Sequence, residues 1–401
     1  MQGADYITTD EAAALLGYTP QHVCRLVRSG ALEGKKLGRD WIVLRESVRR
    51  RLESRVNYSL PLNGLGVPSK GEERPTPSVA PKALSFEDIL SGGEPSVEQK
   101  RLAKQLAWSN GAAPKETLHR VFLGDSRRME QIGSEPVHLI VTSPPYFNLI
   151  NYQGATAEQG QLGSITDYER FLDELDLVWR RCYDLLVPGG RMCVVVGDVC
   201  VSRRRAGRHH VIPLHADIAI RCRRIGFDYL TPILWSKIAN MATEVGGPGG
   251  FLGKPYEPNA IIKNDVEYIL LFRKPGQYRK PSPAQRALSL LEPDEHARWF
   301  RSIWTDIPGE SRRSGHPAPF PVELAYRLIR MFSFVGDTVL DPFWGTGSTT
   351  VAAIDAVRSS IGFEIEPHYI QIGRERLAQI STAPVPPRIE FHGPSEERRA
   401  E

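Results

Sequence analysis

The sequence predicts an α/β fold with a doubly wound sheet, preceded by a small helical module. Three observations carry that reading. From about residue 115, apolar runs alternate with amphipathic stretches, the pattern of strands that cross over through helices. The stretch 167–187 repeats apolar residues at Tyr168, Phe171, Leu172, Leu175, Val178, Trp179, Cys182, Leu185 and Leu186, a helical period. The basic excess sits in one short early segment: from Gln21 to Arg55 there are ten Lys/Arg against four Asp/Glu, a local +6 that leaves −2 elsewhere in a chain of net charge +4.

Each element follows from local signals. Apolar runs place strands at 119–123, 137–142, 191–197, 229–235, 266–272, 338–341 and 360–364. The helix over 167–187 has a capping box in Thr166 and Glu169, and Pro188-Gly189-Gly190 reads as its stop. Near the N-terminus, Thr8 or Thr9 caps a first helix that Gly17 ends, and Pro20 opens a second that Gly30 ends. Two short helices joined through a glycine-containing turn read as helix-turn-helix. A hairpin turning at Gly38-Arg39-Asp40 and a closing helix complete the module over 1–56. Residues 57–114 read as a linker: Pro61, Pro68, Pro75, Pro77 and Pro81 crowd its first half, and one helix fits 96–108. The catalytic domain is expected over 115–381, with a flexible tail at 382–401.

Composition excludes several classes. No apolar run approaches the ~20 residues that span a bilayer, and the N-terminus lacks the regions of a signal peptide. The five cysteines form no C-x-x-C pair, so zinc and redox motifs find no support and no metal is expected. A reducing cytoplasm is the expected location. A compact basic segment points to nucleic acid.

Two stretches carry chemistry. In "VLDPFWGTGSTTVAA", 339–353, a short strand ends at Asp341 and a glycine turn opens a helix. Glycine lets backbone N–H groups approach a ligand closely. Glu364 ends the next strand, 23 residues after Asp341, the spacing at which an acid meets ribose hydroxyls in dinucleotide-type sheets. In "TSPPYFNL", 142–149, a strand leaves through Ser143-Pro144-Pro145-Tyr146. Proline fixes φ and restrains the residue before it, so the corner is stiff. It offers a hydroxyl and carbonyls as acceptors beside an aromatic face, which suits a flat heterocycle bearing an exocyclic amine.

These residues resemble a family. "TSPPY" with "DPFWGTG" downstream is similar to the DNA amino-methyltransferases of restriction–modification systems, in the motif order called beta. The resemblance spans roughly 119–380. It implies a Rossmann-like S-adenosylmethionine-dependent methyltransferase fold, S-adenosylmethionine as cofactor, duplex DNA as substrate, and room for a companion restriction endonuclease. It implies that Ser143, Pro144, Pro145 and Tyr146 are the catalytic corner. It also implies a cofactor site of Asp125 from "FLGDS", Pro317 and Phe320 from "HPAPFPVELAYRLIRMFS", and Asp341, Phe343, Gly345, Gly347 and Glu364. Serine before Pro-Pro-Tyr goes more often with N4 of cytosine, and Asp or Asn there with N6 of adenine. Both bases stay open, with cytosine preferred. No cysteine follows a proline, which disfavours the C5-cytosine mechanism. Asn is the usual residue before Pro-Pro-Tyr in the related RNA and protein-glutamine enzymes, and a DNA-binding regulator with an inactive fold is the reading from another class.

The N-terminal segment resembles the excisionase-type winged helix-turn-helix domain, on Asp10-Glu11-Ala12-Ala13, Leu15-Leu16-Gly17, Ser29-Gly30 and Gly38-Arg39-Asp40-Trp41-Ile42. The resemblance implies that the helix carrying Gln21, Arg25 and Arg28 enters the major groove and that Arg39 touches phosphate. On the sheet's functional edge, Arg203, Arg204 and Arg205 in "SRRRAGRHH" and Lys237 after Trp235-Ser236 either meet DNA phosphates or stay solvated. Asp198, at the end of "RMCVVVGD", either acts in the site or caps a helix.

Overall fold

The computed structural model describes residues 5–16, 23–24, 26–27, 32–37, 40–56, 85–91, 95–147, 161–201, 203–236, 251–252, 258, 261–262, 264–309 and 321–393. The chain divides into two compact units, residues 1–83 with 379–382, and the remainder.

In the first unit, β1 (Tyr6–Thr8), β2 (Gly34–Leu37) and β3 (Asp40–Leu44) form an antiparallel sheet in the order β1-β3-β2. Thr8 caps the helix Thr9–Leu16: its hydroxyl accepts the Glu11 N–H at 3.2 Å, and Glu11 accepts the Thr8 N–H at 2.8 Å. This reciprocal pair is a capping box, one residue earlier than Thr9 would give. Residues 23–24 and 26–27 are helical, and the helix Arg45–Val56 closes the unit. Ile7, Ala12, Ala13, Val23, Val27, Leu32, Val43 and Val48 make its core.

The second unit is built on β4 (Thr117–Leu123), β5 (Val137–Thr142), β6 (Leu186–Val196), β9 (Asp228–Ser236), β12 (Val266–Arg273), β13 (Ile303–Trp304), β14 (Thr338–Asp341), β15 (Ser359–Glu364) and β16 (Pro387–His392). Two small hairpins lie outside this sheet: β7 (Val199–Val201) with β8 (His210–Ile212), and β10 (Phe251–Leu252) with β11 (Ile261–Ile262). The nine strands run in the order β13-β9-β12-β6-β5-β14-β15-β4-β16. From β6 to β16 every pairing is parallel; β12 is antiparallel to both β6 and β9.

Both faces are covered, as a largely parallel sheet requires. One core packs the helices Tyr168–Leu185 and Leu214–Ile225 through residues such as Phe171, Trp179 and Ile218. The other packs the helices Pro293–Trp299, Val322–Phe332 and Ser348–Asp355 through Trp299, Leu328 and Ala352.

Four expectations are corrected. Residues 387–392, placed in a flexible tail, form β16 and pair with β4 over six residues. The alternation in "PRIEFH" suits a half-buried edge strand. Residues 86–91, placed in the linker, form the helix Phe86–Ser91, while the helix expected over 96–108 runs over Val97–Ser109. Ser96 and Gln99 box the second, and both pack with Leu288, Val335 and Val385. Pro188-Gly189-Gly190 lies within β6 and does not end a helix. The Gly189 N–H donates to the Lys274 carbonyl at 2.9 Å and the Lys274 N–H to the Gly190 carbonyl at 3.0 Å. Gly189 takes φ 76°, open to glycine. The helix before it is capped by Asp167 and not by Thr166.

Among the described residues, no helix is long and apolar enough to cross a membrane.

Candidate active site

Parallel strands deliver their carboxyl ends to one edge, and ligands of such sheets bind beyond it. Four strand ends meet there around one cleft. Its lining includes Gly124 and Asp125 after β4, Ser143 to Tyr146 after β5, Pro342, Phe343 and Gly345 after β14, and Glu364 and Ile365 at the end of β15. The amine corner and the glycine turn, 199 residues apart in sequence at Thr142 and Asp341, are joined directly: the Thr142 hydroxyl donates to Asp341 Oδ1 at 2.7 Å.

Glu364 shapes the glycine turn. Its Oε2 accepts the Gly345 N–H at 2.8 Å and its Oε1 the Glu366 N–H at 2.9 Å. Burial pushes its pKa up to about 7 against the pull of these backbone donors. Trp344 anchors the same turn. Its indole N–H donates to Thr350 at 2.8 Å, and its ring fills a slot that a side chain would close. A Cβ on Gly362 would lie 2.2 Å from Trp344 Cδ1, and one on Gly373 2.3 Å from its Cη2.

Asp125 lines the cleft while Arg127 grips it from two nitrogens, Nε at 2.9–3.0 Å and Nη2 at 2.6 Å. Glu174 holds the other end of that guanidinium. At the amine corner, Ser143 is half-buried and Pro144 buried. The Tyr146 hydroxyl donates to Glu267 Oε1 at 2.8 Å.

Two residues expected in the cofactor site stand behind it. Asp341 is 1% exposed and absent from the lining. Its carboxylate accepts from Thr142, from Thr349 at 2.6 Å and from the Phe343 N–H at 3.1 Å. Its burial raises its pKa to about 6. It clasps β5 and β14 to the helix Ser348–Asp355. Gly347 is also outside the lining; it adopts φ 83° where the turn enters that helix, over the Trp344 ring.

Asp198 caps a helix: its Oδ1 accepts the His215 N–H at 3.3 Å and meets His215 Nδ1 at 2.6 Å at the start of the helix Leu214–Ile225. Arg203 is exposed on the short helix Arg203–Ala206, which also carries Arg204 and Arg205. Gln21, Arg25, Arg28, Arg39, Lys237, Pro317 and Phe320 lie outside the described residues.

Sequence reasoning missed Gln161, Tyr369 and Glu267. Gln161 lines the cleft and donates to Glu366 at 3.0 Å. Tyr369 lines it from the first turn of the helix Pro367–Ala378, five residues past Glu364. The "EPHY" helix start was the available signal for Tyr369. A glutamate interrupting the apolar run "VEYILLF" was the signal for Glu267.

A largely parallel sheet of this order, with a glycine turn and an aromatic-proline corner lining one cleft beyond its carboxyl edge, has the layout of α/β proteins that bind ligands at that edge. The N6/N4 DNA methylase family model matches residues 137–375, and a helix-turn-helix domain model matches residues 6–56. Type II methyltransferase M.MjaI of Methanocaldococcus jannaschii is 39% identical over 289 residues, covering 65% of this chain and 91% of that protein. Type II methyltransferase M.MthZI of Methanothermobacter thermautotrophicus is 32% identical over 280 residues, covering 65% and 77%. Among solved structures, a DNA modification methylase of Thermus thermophilus, complexed with S-adenosyl-L-methionine, is 50% identical with a TM-score of 0.55, covering 69% of this chain and 99% of that one. The chain belongs to the N6/N4 DNA methylase family, with a helix-turn-helix domain at its N-terminus.

Proposed function

We propose that this DNA amino-methyltransferase methylates the exocyclic N4 of cytosine in duplex DNA. The observation that carries the proposal is Ser143 at the head of the Pro-Pro-Tyr corner, inside the same cleft as the Gly345 turn.

S-adenosylmethionine is the methyl donor: attack by the exocyclic amine on its sulfonium methyl gives the methylated base and S-adenosylhomocysteine, with release of one proton. The residues present fit it. Asp125 and Glu364 are carboxylates suited to hydroxyl and ammonium donors, and Phe343 and Ile365 offer apolar walls for a purine. Pro317 and Phe320 belong to the same proposal by family resemblance.

The base would have to leave the stack to reach the corner. Ser143 Oγ accepts one amine hydrogen and the Pro144 carbonyl the other. Both acceptors draw the nitrogen lone pair out of conjugation and aim it at the methyl group. Tyr146 gives the ring a stacking face. The stiff corner does this without reorganisation, so catalysis is chiefly positioning and electrostatic preorganisation. The N-terminal unit adds phosphate and major-groove contacts through Gln21, Arg25, Arg28 and Arg39, and Arg203 to Arg205 and Lys237 add phosphate contacts at the catalytic edge. This reading puts the enzyme with DNA in the cytoplasm, alongside a restriction endonuclease of matching specificity.

The test is chemical. Mixed-sequence duplex DNA is incubated with the protein and labelled S-adenosylmethionine, then digested to nucleosides. Label in N4-methylcytosine supports the serine corner as a cytosine site; label in N6-methyladenine keeps the enzyme class and refutes the base.

A further inference from the structure

Glu267 is the second residue of β12, and its side chain is 9% exposed. It shares a strand face with Ile269 and Leu271, which lie in the apolar core. A carboxylate in that position is costly unless its oxygens are hydrogen-bonded. One partner is the Tyr146 hydroxyl, which donates to Oε1 at 2.8 Å across 121 residues of sequence. The end of β6 makes room for the pair. A Cβ on Gly197 would stand 3.3 Å from Tyr146 Cε1 and 3.3 Å from Glu267 Cγ, so the missing side chain lets ring and carboxylate meet over the backbone. The phenol is therefore held at both ends. Its Cα is fixed by the Pro144-Pro145 corner, and its hydroxyl by a hydrogen bond to a second strand.

We propose that Glu267 is a positioning residue for methyl transfer. By accepting the Tyr146 hydroxyl hydrogen it locks the ring that faces the target base, and it acts through Tyr146 without touching the base. This rests on the reading above that Tyr146 is the platform on which the base stacks. It assigns no proton transfer to Glu267; what the function needs is an acceptor, not a base.

The acceptor requirement separates the variants. Single-turnover methyl transfer is measured at saturating S-adenosylmethionine, with cofactor affinity measured beside it. Glu267→Gln keeps an amide oxygen for the same hydrogen and stays within about threefold of wild type, whereas Glu267→Leu and Tyr146→Phe each lose about 10- to 100-fold in rate, the scale of a mispositioned reacting group. Cofactor affinity is unchanged in all three. The double variant Tyr146→Phe/Glu267→Leu is no slower than the slower single, because each single already breaks the Tyr146–Glu267 bond. A Glu267→Gln as slow as Glu267→Leu would show that the charge itself acts and would overturn the proposal, as would losses that multiply in the double variant. Tyr146→Ala distinguishes the two levels. If it is slow while Glu267→Leu and Tyr146→Phe run at the wild-type rate, the tether falls and the base platform stands. If Tyr146→Ala also runs at the wild-type rate, the platform falls with it. Should Glu267→Leu fail to fold, Tyr146→Phe and Glu267→Gln still decide between acceptor and charge.

Discussion

The Glu364 carboxylate holds the Gly345 N–H at 2.8 Å, so the acid that ends β15 fixes the glycine turn that follows β14. The same carboxylate accepts the Glu366 N–H. Removing it frees two backbone donors at once. We expect Glu364→Ala to weaken S-adenosylmethionine binding by about tenfold or more, since hydrogen bonds to charged groups contribute about 1.5–3 kcal/mol. Glu364→Gln should fall between, because its one carbonyl oxygen cannot replace both carboxylate oxygens. Isothermal titration calorimetry of the three proteins gives the order.

A pH dependence follows from the two buried acids. Burial lifts Glu364 from 4.5 to about 7 and Asp341 from 3.8 to about 6. Both folded values lie above the unfolded ones, so the folded protein retains protons that the unfolded chain releases. Their contribution therefore favours the fold at low pH and is lost as pH rises, through 3.8 to 6 for Asp341 and 4.5 to 7 for Glu364. Thermal unfolding of the cofactor-free protein between about pH 5 and 8 should show the loss. In Glu364→Gln the decline above about pH 6 should shrink; an unchanged slope would remove Glu364 from the account.

The Trp344 slot makes a separate prediction. With a Cβ 2.2 Å from the indole, Gly362→Ala forces a shift in a ring that is 2% exposed. Overpacking of this kind costs about 3 kcal/mol, the upper end of its usual range. Differential scanning calorimetry should record the lower Tm. Cofactor binding should weaken as well, since Trp344 directly precedes Gly345.

Much of this architecture was legible because strands in a covered parallel sheet are apolar runs. β5, β14 and β15 announce themselves that way, and the corner and glycine turn fall at their ends. The direction of β12 was not legible: an apolar run such as "YILLF" suits either orientation, and only pairing with β6 and β9 sets it. β16 was missed because its burial comes from β4, far back in the chain. Asp341 was placed in the cofactor site by the resemblance of "DPFWGTG". Its partners Thr142 and Thr349 come from two other elements, and their hydroxyls turn it into a clasp. Glu267 was hidden for the same reason, since its meaning depends on Tyr146.

The central claim is that Ser143 receives the amine. Single-turnover transfer to duplex DNA, compared between wild type and Ser143→Ala, tests it most directly. Ser143→Ala should bind S-adenosylmethionine within about twofold of wild type, because the proposed function gives the serine to the amine and the cofactor to Asp125, Phe343 and Glu364. It should transfer the methyl group about 100-fold more slowly, the scale of removing one preorganised transition-state partner. A Ser143→Ala enzyme that transfers at the wild-type rate would contradict the account.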